Sequence, residues 1–485
     1  MPAPFPHDDD HGTALSEVPL YAKREHIYQK EVQGAWQQRR AVALFVLAGI
    51  FLAGPWLSWN DRQAIWFDLP GRKFYSFGLT FWPQDFIFLS WMLIIAAFSL
   101  FFFTALAGRL WCGYACPQTV WTKFFMWIEW LTEGDRNARM RLDRGPWTAR
   151  KVGRKLAKHG AWGLLAVVVG LTFLGYFVPI RSLLPRLAAG QLSGWETFFA
   201  CVFSGALYLD AGWMREQICK YACPYARFQG AMFDNDTLTI FYDRHRGEPR
   251  GHRGRDSAAR GAGLGDCIDC NLCVHVCPTG IDIRKGTQYE CIGCAACIDA
   301  CDGVMEEMGY AKGLVRYASE ASLASGRLRV LRPRLIAYGV ALSLIMTTFA
   351  YALSARVPLR VDVLRDRARL YRVASDGRIE NTYTLKIMNL DQHPHVYRIA
   401  ADGLPGLTLV APPEVRLSPG EIGDVAVRVQ VPPEALAQRS LPLRFTIDPL
   451  DHPQTVVREE SRFLSPERPR GEDDTQREPG EHEHD

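Results

Sequence analysis

Five long apolar segments constrain the fold of this chain more than any other feature of its sequence. Each is close to the roughly 20 residues that an α-helix needs to cross a bilayer. Because lipid cannot hydrogen-bond to the backbone, segments of this kind cross a membrane as helices. The five predicted spans run roughly over 40–59, 86–108, 161–180, 195–213 and 334–353.

Basic residues predict the orientation of these spans. The loop 109–158 carries eleven Lys and Arg residues, whereas the loops 60–85 and 181–194 carry three and two. By the positive-inside rule, the N-terminus, the loop 109–158 and the segment 214–333 face the cytoplasm. An odd number of spans then places residues 354–485 on the opposite side of the membrane.

The distribution of cysteine agrees with this orientation. All 13 cysteines lie between Cys112 and Cys301, so the exported part of the chain has none. This excludes a secreted protein held together by disulfides and indicates metal or redox chemistry in a reducing compartment. The net charge of +4 gives no indication of nucleic-acid binding. The polar first 38 residues show no cleavable signal peptide.

A short cysteine motif occurs twice, each time after an apolar segment. It reads "WCGYACP" from Trp111 and "ICKYACP" from Ile218. Residues i and i+4 share a helix face at about 5–6 Å between Cβ atoms, and a disulfide needs about 3.5–4.5 Å. Each pair therefore suits a shared metal ion, the alternative being buried structural cysteines. The thiols concerned are Cys112, Cys116, Cys219 and Cys223; for Cys201, alone in the fourth span, the structural interpretation is favoured.

Two further cysteine runs lie close together, "CIDCNLCVHVCPTG" at 267–280 and "CIGCAACIDAC" at 291–301. Their spacing is that of bacterial dicluster ferredoxins, in which each run supplies three thiolates to one [4Fe–4S] cluster and the fourth to the other. The alternative, a pair of zinc sites, does not require four cysteines in each run. The predicted ligands of the first cluster are Cys267, Cys270, Cys273 and Cys301. Those of the second are Cys291, Cys294, Cys297 and Cys277.

The C-terminal part of the chain reads as β structure. Short alternating runs such as "NTYTLKIMNL" and "GDVAVRVQVP" are separated by Gly, Pro and Asp. Their number and spacing predict an immunoglobulin-like sandwich without a disulfide. Met388, His393 and His395 could bind copper there, although histidines that flank a proline in a turn more often lie on a plain surface. Residues 466–485 are charged, lack hydrophobic residues and are predicted to be disordered.

The predicted fold class is a multi-domain membrane protein. An α-helical transmembrane bundle carries an inserted dicluster ferredoxin-like domain and a C-terminal immunoglobulin-like β-sandwich. The predicted domains are a cytoplasmic segment 1–38, a membrane domain 39–233, a ferredoxin-like domain with an Arg-rich linker 234–333, a fifth transmembrane helix 334–353, the β-sandwich 357–463 and the tail 466–485.

The order of these motifs resembles the cytochrome c oxidase accessory protein family, called FixG, RdxA or CcoG. Two further stretches add to the resemblance, "YDRHRGEPRG" at 242–251 and "CDGVMEEMG" at 301–309, and it extends from about residue 20 to 465. It implies a protein of the bacterial inner membrane with a periplasmic β-sandwich. It also implies reduction of Cu(II) to Cu(I) for assembly of the cbb-type oxidase. Copper would be substrate or transient ligand at the four membrane-proximal thiols, Cys112, Cys116, Cys219 and Cys223.

The partners of such a cupric reductase follow in part from what is absent. No Gly-rich dinucleotide fingerprint opens a βαβ unit, so electrons come from an unidentified cytoplasmic donor. The six arginines of 244–260 contact either anionic lipid or an acidic donor. Oxidase-assembly or copper-transport proteins are the expected recipients, and a homodimer is left open. Two other functions compete with this one, a quinol dehydrogenase-type electron-transfer subunit and a copper-holding assembly scaffold without catalysis.

Overall fold

A computed structural model describes residues 26–254, 263–327, 329–366, 369–391, 393–436, 438–451 and 456–466. Most of the predicted segment 1–38, the end of the Arg-rich linker and nearly all of the predicted tail lie outside these residues. The chain divides into two compact units. The first comprises Met1–Ala48, Phe103–Val168 and Ser204–Arg332, and the second Gly49–Phe102, Val169–Phe203 and Pro333–Asp485. The domain boundaries proposed from the sequence stay predictions.

Helices and strands are numbered in chain order. The α-helices are α1 Ala35–Ala53, α2 Phe86–Ala107, α3 Leu110–Tyr114, α4 Pro117–Glu133, α5 Arg136–Arg144, α6 Ala149–Leu174, α7 Ile180–Ala188, α8 Gly194–Leu207, α9 Pro224–Ala231, α10 Arg244–Gly247, α11 Leu272–His275, α12 Ala296–Glu307, α13 Glu320–Ser325 and α14 Pro333–Ser354. Two π-helical segments span Tyr208–Met214 and Ile218–Ala222. The strands are β1 Ser58–Trp59, β2 Arg62–Gln63, β3 Ile65–Asp68, β4 Lys73–Ser76, β5 Leu79–Phe81, β6 Thr239–Tyr242, β7 Val315–Ala318, β8 Leu359–Arg365, β9 Arg372–Val373, β10 Ile379–Asn389, β11 His395–Asp402, β12 Thr408–Val410, β13 Val415–Leu417, β14 Ile422–Val431, β15 Ser440–Pro449 and β16 Val457–Leu464.

Within the described residues, five helices are long and apolar enough to cross a membrane. They are Ala35–Trp56, Phe86–Ala107, Ala149–Leu174, Gly194–Met214 and Pro333–Ser354. The fold class predicted from the sequence, including its five apolar helices, is confirmed.

The third apolar helix differs from its predicted position at 161–180. It begins at Ala149, earlier than the hydropathy of the sequence indicates, and ends at Leu174. Its first turns carry lysines that are paired rather than free: Lys155 and Lys158 each lie 2.9 Å from Glu133 on α4. Partner carboxylates thus stabilise these lysines in the charged first turns of the helix. Proline at 179 follows the end of the helix, where it cannot continue the backbone ladder.

The first unit contains the two ferredoxin-like cysteine runs. Strand β6 precedes the runs and pairs with β7, which follows them, in antiparallel register. This pairing closes a small core in which Ile240, Met305, Leu314 and Val315 are nearly inaccessible to solvent. This two-stranded antiparallel sheet therefore joins the two ends of the segment that carries the cysteines.

The second unit contains the predicted β-sandwich. One sheet has the strand order β12-β14-β10-β8, with β9 also on β10, and the other has the order β13-β11-β15-β16. Side chains alternate between the core and solvent along β14 and β15, as expected for sheets with one covered face. Tyr383 and Phe445 meet edge to face in the core, with 5.1 Å between ring centroids. The side chain of His395, which the sequence offered as a copper ligand, lies 2.9 Å from Asp391.

Candidate iron–sulfur and thiol sites

The first predicted set of cluster ligands lines a single cavity. Cys267, Cys270, Cys273 and Cys301 surround it together with the apolar side chains of Met305 and Leu314 among others. The turn between the second and third cysteines depends on Asn271, whose backbone is left-handed (φ 56°) just before α11 begins. This conformation reverses the chain tightly enough to direct neighbouring thiols into one cavity, and asparagine tolerates it better than most residues.

The second predicted set lines the neighbouring cavity. Its walls include Cys277, Cys291, Cys294 and Cys297, and Cys273 borders both cavities. The local geometry repeats that of the first run, because Ala295 is also left-handed (φ 61°) immediately before α12. The first cavity thus receives three thiols from the first run and Cys301 from the second, and the second cavity receives three from the second run and, besides the shared Cys273, Cys277 from the first. This is the crossed pattern that the sequence predicts, and the assignment of ligands stays a prediction.

The chemistry of these cavities fits a cationic group with several metal atoms. Burial in apolar walls raises the pKa of Cys273, Cys291 and Cys301 to about 12. Bound iron would supply the positive charge that thiolates need at such a site. Among the described residues, no three His, Cys, Asp or Glu side chains could hold one metal ion. The cysteines that line each cavity include the four thiols that a cubane needs as ligands.

The repeated thiol motif is not a single helix, which corrects the expectation that its two cysteines share one helix face. Cys112 lies on α3, whereas Cys116 has an extended backbone and precedes α4. In the second copy, Cys219 lies on a π-helical turn and Cys223 precedes α9 in the same way. The proline after each pair begins the next helix, where its missing N–H costs nothing. Each pair therefore spans a break between two helices.

The four thiols of the two copies lie near one another. Burial, together with the neighbouring thiols Cys116, Cys219 and Cys223, raises the pKa of Cys112 to about 12. Burial, together with the neighbouring thiols Cys116 and Cys223, also raises the pKa of Cys219 to about 12. The two sequence copies thus form one thiol group, here called the four-thiol site. Like the rest of the described residues, it contains no three side chains that could hold a single ion in this arrangement.

The four-thiol site packs against the second cysteine run. Cys112 and Cys219 contact a buried cluster that includes Val276, Ile292 and Cys294. The approach of α3 to this run is backbone to backbone. A Cβ atom added at Gly113 would lie 2.9 Å from the carbonyl oxygens of residues 292 and 293.

Polar groups that the sequence did not single out hold this arrangement. The Cys112 thiol donates to Gln229 Oε1 at 3.3 Å, and Gln229 is fully buried. Buried Glu129 on α4 binds Arg215 at 2.8 Å, four residues before Cys219. A comparison of the two motif copies could have indicated Gly113, because Lys220 occupies the matching position.

Cys201 lies on α8 in the second unit, whereas the other cysteines belong to the first. Its side chain is exposed. It therefore serves as a control cysteine from the other unit.

The two cysteine-lined cavities and five apolar helices define a membrane-associated iron–sulfur electron-transfer protein of the ferredoxin type. Nitrogen fixation protein FixG of Rhizobium meliloti is 39% identical over 428 residues, which cover 81% of this chain and 82% of that protein. Protein RdxA of Cereibacter sphaeroides is 42% identical over 406 residues, which cover 80% and 85%. The chain belongs to the FixG/RdxA family.

Family models match three segments of the chain. Residues 214–320 match a 4Fe–4S dicluster domain, and residues 88–137 match a 4Fe–4S binding domain. Residues 349–466 match an immunoglobulin-like fold at the C-terminus of FixG. A crystal structure of a FixG-related protein from Vibrio parahaemolyticus is 29% identical and covers 22% of this chain and 95% of its own, with a TM-score of 0.21.

Proposed function

We propose that this protein reduces Cu(II) to Cu(I) for copper delivery and assembly of a cbb-type cytochrome c oxidase. The observation that carries the proposal is the packing of Cys112 and Cys219 against the run that contains Cys294. A group of soft ligands thus lies directly beside an iron–sulfur site. In this proposal the protein lies in a bacterial inner membrane, with the thiols and clusters cytoplasmic and the β-sandwich periplasmic.

The chemistry of the two sites is complementary. Thiolate is a soft ligand that prefers Cu(I), so the four-thiol site stabilises the reduced ion. When bound, [4Fe–4S] clusters exchange single electrons at potentials that extend far below zero, and each Cu(II) takes one electron to become Cu(I). The chain's own residues partly bury the thiols and hold α3 against the second run. A low-potential cytoplasmic reductant supplies the electrons, and copper-transport or oxidase-assembly proteins receive the product.

The first prediction concerns the thiols of the first motif copy. Protein reduced with dithionite and freed of excess reductant is mixed anaerobically with Cu(II). We expect one Cu(I) for each electron lost from the clusters, followed by a Cu(I) chelator and by the clusters' visible absorption. The double variant Cys112→Ser/Cys116→Ser should lose most of this rate because soft ligands for the product are gone. Cys201→Ser, the exposed cysteine on α8, should keep it.

Three results would contradict the proposal and indicate other functions. Wild-type rates in the double variant with both clusters present would remove the thiols from the reaction. Appearance of Cu(I) without bleaching of the clusters would favour a copper-holding scaffold whose thiols reduce copper themselves. Rapid reduction of the clusters by a quinol, with no response to Cu(II), would favour a quinol dehydrogenase.

One observation favours another occupant of the four-thiol site. The 4Fe–4S binding model matches residues 88–137, and the cysteines of that segment are Cys112 and Cys116. With Cys219 and Cys223 they number four, which is the ligand count of a third cubane. Iron analysis separates the two cases, since two clusters give about eight iron atoms per chain and three give about twelve. We expect about eight.

A further inference from the structure

A buried arginine connects the four-thiol site with the second cysteine run. The guanidinium of Arg109 donates through Nη1 to the carbonyl of Tyr289 and through Nη2 to the carbonyl of Ala226. Tyr289 leads into the second run, and Ala226 lies on α9, just after the second thiol motif. Only 5% of Arg109 is exposed. Three segments that meet at the candidate sites are thus tied by one side chain.

The backbone of Arg109 is equally close to the second run. A Cβ atom added at Gly293 would lie 3.1 Å from the Arg109 carbonyl oxygen. Arg109 and Cys291 also line the same small cavity. The positive charge of Arg109 is therefore fixed next to the predicted second cluster by contacts on two sides.

The charge of Arg109 is not neutralised by a partner of opposite sign. Within the described residues, its guanidinium donates hydrogen bonds to peptide carbonyls, and no carboxylate lies within ion-pair distance. The first cavity differs, because its Arg284 binds Asp269 at 2.5 Å and Asp282 at 2.8 Å. A buried charge without a counterion acts through a low dielectric and is screened little by salt.

Other charged groups near the second run have partners of their own. Lys123 is paired with Glu31 at 2.8 Å. The carboxylate of Asp299 accepts the backbone N–H groups of residues 36 and 37. Arg40 also binds a carbonyl, that of Gly113 at 3.0 Å, and adds to the positive field.

We infer that Arg109 is a positioning residue whose uncompensated charge raises the reduction potential of the cluster in the second cavity above that of the cluster in the first. A reduced cluster carries one more negative charge than an oxidised one, so a fixed cation beside it favours the reduced form. The electron then resides preferentially at the cavity that adjoins the four-thiol site. This inference rests on the iron–sulfur part of the proposed function and does not depend on copper.

The test is a potentiometric titration of the full chain followed by electron paramagnetic resonance. Arg109→Gln should lower the midpoint potential of the second site alone. Coulomb's law at an effective dielectric of about 20 predicts about a tenfold fall in its reduced-to-oxidised ratio at fixed potential, equivalent to about 59 mV for one electron. Arg109→Lys keeps the charge and should restore most of the potential. Arg316→Gln, at an exposed arginine paired with Asp243, is the control for charge loss elsewhere.

A second pair of variants leaves Arg109 in place. Gly230 is exposed on α9, and a Cβ atom added there would lie 3.7 Å from Arg109 Nη2, an ordinary contact. Gly230→Asp therefore supplies the missing counterion, whereas Gly230→Asn has nearly the same shape without the charge. We expect the aspartate to lower the second site's potential and the asparagine to leave it unchanged. If Arg109→Gln does not retain both clusters, this pair of variants still tests whether the charge of Arg109 sets the potential of the second site.

The outcomes separate this inference from the proposed function. Signals are assigned by comparison with Cys291→Ser, whose thiol borders the second cavity. Unchanged potentials in Arg109→Gln, equal shifts at both sites, or identical behaviour of the two Gly230 variants would overturn the inference alone. Wild-type protein without iron would overturn the iron–sulfur assignment itself, and absence of copper reduction would leave the role of Arg109 standing.

Discussion

Cys277→Ser protein is expected to lose the cluster of the second run, although Cys277 belongs to the first. Its side chain lines the cavity formed by Cys291, Cys294 and Cys297. Removing one of four thiolates from a buried site should leave one cluster, so iron should fall from about eight to about four atoms per chain. Cys301→Ser should give the mirror result at the first cavity. Iron and sulfide analysis with electron paramagnetic resonance measures both.

Double variants make this prediction sharper than either single change. Cys277→Ser/Cys291→Ser removes two ligands of one predicted cluster, so about four iron atoms should remain. Cys277→Ser/Cys301→Ser removes one ligand from each cluster, and most iron should be lost. Cys201→Ser, exposed on α8, controls for the loss of a thiol. If Cys277→Ser/Cys291→Ser lost all iron while Cys277→Ser/Cys301→Ser kept half, the crossed pairing would be wrong.

The cysteine runs could be interpreted from the sequence because ligand spacing is a local property. Three thiolates within seven residues can converge only through a tight turn, so the pattern itself indicates the site. The conformation of that turn was harder to foresee. Asparagine, as at 271, is common in left-handed backbone, but alanine is not. The left-handed conformation of Ala295 (φ 61°) could have been predicted only from its position after the second cysteine of its run, which matches that of Asn271 in the first.

The four-thiol site shows where local patterns stop being sufficient. A pair of cysteines four apart after an apolar segment indicates one helix face, yet Cys116 and Cys223 each have extended backbone between two helices. Proline after each cysteine fits either ending a helix or beginning one, and the structure has the second. The role of Arg109 was also unpredictable, because its partners at 226 and 289 are backbone carbonyls far away in sequence.

Gly113→Ala is expected to separate the four-thiol site from the second cluster while both clusters remain. The added Cβ atom would lie 2.9 Å from the carbonyl oxygens of residues 292 and 293 and 3.0 Å from Cys294 Cα. These are backbone atoms of a loop closed by cluster ligands, so α3 must move instead. Overpacking of this kind costs about 1–3 kcal/mol. Displacement by about 1 Å can lower a rate that depends on precise positioning by about a hundredfold.

The measurement is Cu(I) formation by pre-reduced protein, with iron content determined on the same sample. Gly153→Ala is the matched control, since nothing lies within 4 Å of a Cβ atom added at that position on α6. We expect Gly153→Ala to reduce copper at the wild-type rate and Gly113→Ala to be at least about tenfold slower, because its thiols no longer pack on the second run. Wild-type kinetics in Gly113→Ala with full iron would show that electrons reach copper by another route. Because Gly113 brings the backbone of α3 against the backbone of the second run, a specific loss of rate would also favour the second cluster as the immediate donor.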